Sequence, residues 1–356
     1  MSIDLIKDLS NAFGPSGFES EVKEIAKNYV QSFASYKEDK MGNLLINMGS
    51  DQENKGPRIL LDAHMDEVGF IVQNIRPNGM LEFLPLGGWT PYTIPAHLVH
   101  IKTRSGELIK GVVASKPPHY MSEAERNQNV TIQSLVIDVG SKSSQETQDL
   151  GIEIGNPVVP CVEFESLHQD QILLGKAFDC RIGVAALLET LQDIAPIKDS
   201  LDCQIQAALT TQEEVGLRGA KVIANQVACD LAIVFEGAPA DDSFAPDYQI
   251  QSGLGKGPML RHFDTTMITH PGFQALALDT AKELKIPVQV AVRSGGGTNG
   301  AAYHLAQQGI PTIVVAVPVR YPHTHYGYVA YEDYQACKEL VTAILKKMNS
   351  ATYQAL

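Results

Sequence analysis

The chain has 356 residues, 44% of them hydrophobic and 19% charged, with a mean hydropathy of -0.06, which is the composition of a soluble globular protein with enough apolar material for about two domains. A formal net charge of -13 and a pI near 5.2 oppose binding to a nucleic-acid backbone or an anionic membrane surface. No apolar run approaches membrane-spanning length.

The N-terminal segment MSIDLIKDLSNAF lacks the cationic start and apolar stretch of a secretory signal. Apolar spacing at Ile3, Ile6, Leu9 and Phe13, and again from Val22 to Phe33, predicts two amphipathic helices broken at Gly14-Pro15-Ser16-Gly17. Strands are expected at NLLINM and RILLDA. After Asp66 the pattern changes to short strand-like runs (VGFIVQNI, LEFLPL, HLVHIKT, LIKGVVA, IQSLVID, VVPCVEFE) separated by Gly, Pro and Asn. SEAERNQ reads as loop or a short helix, and SKSSQETQD as a polar loop.

From Asp179 onward helical and strand patterns alternate, from DCRIGVAALLETLQDI through to YEDYQACKELVTAILKKM, which predicts a largely parallel sheet covered by helices. The expected fold is therefore α/β, a mostly parallel mixed sheet flanked by helices, with residues 1–69 and 173–356 forming the main domain and residues 70–172 a small all-β insertion. The Gly-rich GGGT at 295–298 lacks the order of a phosphate cradle and reads as a tight strand-to-helix turn. Five cysteines, at 161, 180, 203, 229 and 337, are odd in number and show no CxxC pair, which argues against a disulfide framework and fits a reducing cytoplasm. Cys180 is expected to be a buried small residue without chemistry.

His64, Asp179, Glu214, Glu236 and His323 are candidate divalent-metal ligands, and four of the segments that carry such groups follow short apolar runs. In open α/β sheets the carboxyl ends of strands converge on one crevice. Two neutral imidazoles and three carboxylates sum to a charge of about -3, which two divalent ions and one bridging hydroxide bring to zero. Asp66, two residues beyond His64 on extended chain, is placed to fix the His64 tautomer. Glu213, adjacent to Glu214 but directed differently, suits a general base. His304 and His325 read as structural, while Lys256, Arg261 and Arg293 could line a pocket for acidic side chains.

The motifs AHMDEVGF, DCRIG, QEEVGLRGA, the Gly-Gly-Thr turn and RYPHT occur in an order that resembles the glutamyl/leucyl aminopeptidase family that builds tetrahedral cages. The resemblance implies a dinuclear metal-dependent exopeptidase that hydrolyses N-terminal residues from peptides through a metal-bridging hydroxide, with a β-domain inserted for dimerisation and dimers assembling to a dodecamer. It places His64, Asp179 and Glu236 around one ion and Asp179, Glu214 and His323 around the other, with Glu213 as base and Asp66 behind His64. Zinc, cobalt or manganese would suit these ligands.

Two positions depart from the family pattern. Many members have Asp where this chain has Glu236, and Asp often follows the Gly-Gly-Thr turn where Asn299 stands here, which would shift substrate preference if that Asp holds a charged group. A two-metal carboxypeptidase or N-acyl amino-acid deacylase is the alternative, and a non-catalytic assembly protein on the same fold a third.

Overall fold

In the computed structural model, residues 2–49 and 56–356 are described. The chain opens with helices α1 (Ser2–Asn11) and α2 (Ser20–Val30), then strands β1 (Ser35–Glu38), β2 (Leu44–Asn47) and β3 (Arg58–His64). There follow β4 (Gly69–Ile75), β5 (Leu81–Leu86), β6 (Leu98–Lys102), β7 (Leu108–Ser115), α3 (Glu123–Arg126), β8 (Leu135–Asp138), α4 (Ser144–Asp149) and β9 (Pro157–Pro160). After β10 (Glu165–Leu167) and β11 (Ile172–Gly175) come α5 (Phe178–Ile194), β12 (Gln204–Thr210), α6 (Arg218–Gln226) and β13 (Leu231–Pro239). The remainder is β14 (Met259–Asp264), β15 (Met267–Ile268), α7 (Pro271–Leu284), β16 (Gln289–Val292), α8 (Gly300–Tyr303), β17 (Thr312–Val319), β18 (Gly327–Ala330), α9 (Tyr331–Lys347) and α10 (Ser350–Gln354).

The main sheet runs β1-β2-β12-β3-β13-β17-β14-β15, with β16 also paired to β14. Its centre, β12-β3-β13-β17, is parallel throughout. Strand alternation builds a core on each side of it. Ile59 and Leu61 of β3, Ile233 and Phe235 of β13, and Ile313 and Val315 of β17 face α1, α2, α5, α7 and α9. Leu60, Val234 and Val314 face α6 and α8 instead. Helix α5 is buried along almost its whole length, from Cys180 to Ile194, which is why its sequence shows apolar residues all round rather than on one stripe. The mixed α/β sheet flanked by helices is the architecture expected from sequence.

Strands β4-β5-β8-β7-β6-β9 close into a barrel, filled by Phe70, Val72, Leu81, Phe83, Val99, Ile101, Val113, Ile137 and Val158. Closure leaves no unpaired edge. SKSSQETQD, expected as loop, contains α4: the Ser143 hydroxyl accepts the Glu146 backbone N–H at 3.2 Å, a capping bond that offsets the weak helix propensity of the segment.

A buried ionic cluster joins the two ends of the barrel excursion. Glu67 lies just before β4, and its carboxylate takes Lys176 Nζ at 2.6 and 2.8 Å and Arg181 at 3.3 Å. Arg181 also donates to the carbonyls of Met65, Leu9 and Gly14, so one guanidinium fixes the N-terminal helix and the turn after it against β3. Among the described residues no helix is long and apolar enough to cross a membrane.

Candidate metal centre

His64 is the last residue of β3, Glu213 and Glu214 follow β12, Glu236 lies within β13, and His323 follows β17. The parallel register places Thr210 beside His64 and carries these strand ends to one side of the sheet. Asp179 reaches the same crevice from the first turn of α5. It is not an N-cap; Ala177 holds that position, and Asp179 itself has non-helical backbone angles.

The five expected ligands meet at one place. His64 Nε2 is 3.1 Å from Asp179 Oδ1 and 3.7 Å from Glu236 Oε2. His323 Nε2 is 3.3 Å from Asp179 Oδ2 and 3.3 Å from Glu214 Oε1. The two oxygens of Asp179 therefore face different imidazoles. The donor set consists of nitrogen and oxygen aimed at a shared space, which suits divalent cations of borderline hardness.

The electrostatics of the cluster call for positive charge. Burial pushes the Glu213 and Glu214 carboxyls up from their ordinary range, and neighbouring acids add to this at Glu213. Burial opposes a charge on His323, yet hydrogen bonds to Asp179 and Glu214 outweigh it and raise the imidazole to about 11. Cys180 Sγ lies close to His64 and Glu236, but its S–H donates to the Phe235 carbonyl at 3.3 Å and burial holds it as a thiol, as its sequence reading expected.

Asp66 differs in detail from expectation. His64 Nδ1 is 3.1 Å from the Asp66 backbone carbonyl and 3.4 Å from its carboxylate. The carboxylate accepts instead from the backbone N–H groups of Glu213 (2.9 Å) and Glu214 (3.1 Å) and from the Ser16 hydroxyl (2.6 Å). Glu19, which carried no role in the sequence reading, accepts the Gln212 N–H at 3.1 Å. The loop between β12 and α6 contains left-handed residues at Gln212 and Leu217, and these acceptors hold it in that conformation.

Asn299 does not face the substrate side as the sequence comparison suggested. It is fully buried, and its Nδ2 donates to Asp62 Oδ2 and Thr210 Oγ1, both at 2.7 Å. An amide can donate to Asp62; an aspartate there would face a second carboxylate. His304 closes the short helix α8 by a contact with the Gly300 carbonyl, and His325 is buried in an aromatic cluster.

The candidate ligands line one end of a cavity of about 380 Å³ whose remaining wall includes Leu217, Pro239, Arg261, Thr266, Thr298 and Arg293. Arg261 and Arg293 thus line the same cavity as the candidate ligands. Lys256 is exposed and does not line it.

A mixed sheet, parallel at its centre, whose strand ends deliver imidazoles and carboxylates to one cleft is the scaffold of a metal-dependent hydrolase. Residues 42–340 match the family model for M42 glutamyl aminopeptidase. The chain is 33% identical to the glutamyl aminopeptidase of Lactococcus lactis subsp. cremoris, over 98% of this chain and 96% of that protein. The TET aminopeptidase of a marine sediment Thaumarchaeota archaeon superposes with a TM-score of 0.95 at 36% identity, covering 99% of both chains. The TET1 peptidase of Pyrococcus horikoshii, which can assemble into a tetrahedron or a large octahedral shell, superposes with a TM-score of 0.86 at 30% identity, covering 98% of this chain and all of that one. The chain belongs to the M42 aminopeptidase family. It is a metal-dependent aminopeptidase, a hydrolase of peptide bonds, which decides against the carboxypeptidase, deacylase and non-catalytic alternatives.

Proposed function

We propose that this aminopeptidase holds two divalent ions per subunit, zinc, cobalt or manganese, with His64, Asp179 and Glu236 around one and Asp179, Glu214 and His323 around the other. The observation that carries this reading is the division of Asp179, one oxygen toward His64 and the other toward His323. When bound, such ions polarise the scissile carbonyl and acidify a water. Glu213 lines the same cavity and takes the proton of the attacking water, then passes it to the nitrogen of the departing amine. The Asp66 carboxylate acts behind it, fixing the loop that presents Glu213 and Glu214.

The side-chain pocket favours an acidic N-terminal residue. The Arg261 guanidinium shares Asp264 with three other donors, the Thr266 N–H, the Thr266 hydroxyl and the Met267 N–H. Its buried Nε–H has no hydrogen-bond partner among the described residues, so the pocket wall offers an unused donor on a cation. Arg293, paired to Asp241 at 2.7 Å, adds a second guanidinium.

Residues 70–172 are read as an inserted dimerisation domain, and the protein as a homo-oligomer acting on peptides, with dimers assembling to a dodecamer. The barrel carries exposed Tyr92, Leu98, Val112 and Tyr120, apolar surface of the kind a second copy would cover. Five free cysteines accord with a cytoplasmic location. Metal analysis tests the central reading: the saturated wild-type protein should hold two ions per subunit and Asp179→Asn fewer. One ion per subunit in saturated wild-type protein would overturn it.

A further inference from the structure

The barrel reaches into the metal centre through one short segment, and the contact is to a proposed metal ligand. His323 Nδ1 lies 2.9 Å from the carbonyl of Gly88, in the connection between β5 and β6. Histidines that bind metal through one ring nitrogen nearly always donate the other N–H to a carbonyl or carboxylate, and that bond sets the tautomer and aims the ring. For His64 the acceptor is the Asp66 carbonyl, two residues on in the chain. For His323 it comes from the inserted barrel, far away in sequence.

The fit of this segment is close on every side. Gly87 has φ +86, and a Cβ there would come within 2.6 Å of Val68 Cγ1 and 3.0 Å of Glu214 Oε2. A Cβ on Gly88 would stand 3.4 Å from His323 Nδ1. At Gly87 the left-handed φ and the close approach to Val68 and Glu214 favour glycine, while a Cβ on Gly88 would rest in ordinary contact with His323. Trp89 then anchors the segment: its Nε1–H donates to the Gly69 carbonyl at 3.0 Å, and its ring stacks on Phe70 with centroids 4.6 Å apart.

The loop bearing His323 is gripped a second time, two residues on. His325 is buried, with its ring edge-on to Trp89 at 5.3 Å and stacked on His97 of the barrel at 4.0 Å. Neither of its ring nitrogens has a hydrogen-bond partner among the described residues. The imidazole therefore serves here as a flat packing surface between two barrel rings. This second contact matters because His323 itself sits in a left-handed conformation, φ 56, which neighbours must hold.

We infer that the barrel segment Gly87-Gly88-Trp89 is a positioning element for His323, so that the insertion sets the affinity of the ion held by Asp179, Glu214 and His323 while leaving the ion held by His64, Asp179 and Glu236 nearly untouched. This rests on the proposed role of His323 as a ligand. Trp89 acts through His323 and Gly87 through the segment's path past Glu214 and His323, and both are positioning residues.

The test is a stepwise cobalt titration of the metal-free full-length protein, followed by calorimetry and by the cobalt absorption spectrum, for wild type, Trp89→Ala, Gly87→Ala and His323→Ala. Wild type should show two binding steps. Trp89→Ala and Gly87→Ala should weaken one step about 10- to 100-fold and leave the other within about twofold of wild type, with activity recovering at raised cobalt. Unchanged steps in both variants would overturn the inference, as would equal weakening of both steps with a lowered melting temperature, the mark of general destabilisation. Trp89→Phe keeps an aromatic ring for the stack on Phe70 and loses the bond to the Gly69 carbonyl, so it should recover part of the lost affinity, which guards against a misfolded alanine variant; no recovery in a folded Trp89→Phe protein counts against the inference. His323→Ala separates the two readings: two wild-type steps in that variant would defeat the ligand assignment itself, whereas loss of a step there with unaltered Trp89 and Gly87 variants would defeat only the positioning role.

Discussion

Asp66 Oδ1 sits 2.9 Å from the backbone nitrogen of Glu213, and the other oxygen of the same carboxylate sits 3.1 Å from that of Glu214. One buried acid thus holds two successive residues that are proposed to do different jobs. Asp66→Asn keeps the volume but turns one acceptor into a donor that opposes a backbone N–H. We expect kcat to fall about 100-fold, on the scale of one lost orienting contact. Metal content should stay near wild type, because His64 is held by the Asp66 main-chain carbonyl, which the substitution retains. Metal analysis alongside kcat checks this, and loss of metal in step with activity would contradict it.

Glu213→Gln removes the proposed proton acceptor while keeping shape. Turnover should drop by about 100- to 10,000-fold with both ions retained and KM little altered. Steady-state kinetics on an aminoacyl amide gives the answer; a variant within a few fold of wild type would mean that another group takes the proton.

Arg261→Gln should reduce kcat/KM for an N-terminal glutamyl substrate about 10- to 100-fold, the value of one charge-assisted hydrogen bond, and leave a leucyl substrate much less affected. The ratio of the two rates is the readout. Equal loss on both substrates would assign Arg261 to holding Asp264 and the adjacent turn.

Glu19 carries a pH signature. Burial, helped by the nearby Asp66 charge, pushes its carboxyl from an ordinary 4.5 to about 7, against backbone N–H donors that lower it. Between these values the folded protein keeps a proton that the unfolded chain releases, so the contribution of Glu19 to stability falls as pH rises from about 4.5 to 7 and is level above that. The full effect is roughly 3 kcal/mol at most. Glu19→Gln preserves an acceptor for Gly17 and Gln212 and does not titrate, so its stability relative to wild type should climb between pH 5 and pH 8. Urea unfolding of both proteins at the two pH values measures this, and a constant difference would remove Glu19 as the source.

The parts of the site readable from sequence were those placed by strand ends. His64, Glu213, Glu214, Glu236 and His323 each lie within or just beyond an apolar run, and a parallel sheet brings such positions together whatever their separation in the chain. Asp179 was readable as a charged residue opening a helix, and the structure puts it within the first turn, past Ala177 at the N-cap. What sequence did not disclose were acceptors supplied by distant loops. From the N-terminal turn Glu19 accepts from the loop after β12 while the Ser16 hydroxyl donates to Asp66, and Gly88 reaches His323 from the barrel; nothing in local periodicity marks such contacts. Asn299 shows the same limit, since its partners Asp62 and Thr210 belong to two other strands. The barrel's short runs were recognisable as strands from alternation, but their order around a closed cylinder depends on pairings between remote segments.

Glu67 and Lys176 stand within 2.6 Å of each other although the whole barrel lies between them in the chain. The excursion therefore leaves and rejoins the hydrolytic body at a single locked doorway, and its length or content can change without pulling β3 away from α5. A graft of foreign sequence across that doorway would spare the body's own scaffold and forfeit what the native insert brings to the His323 loop, the Gly88 carbonyl and the rings of Trp89 and His97 against His325.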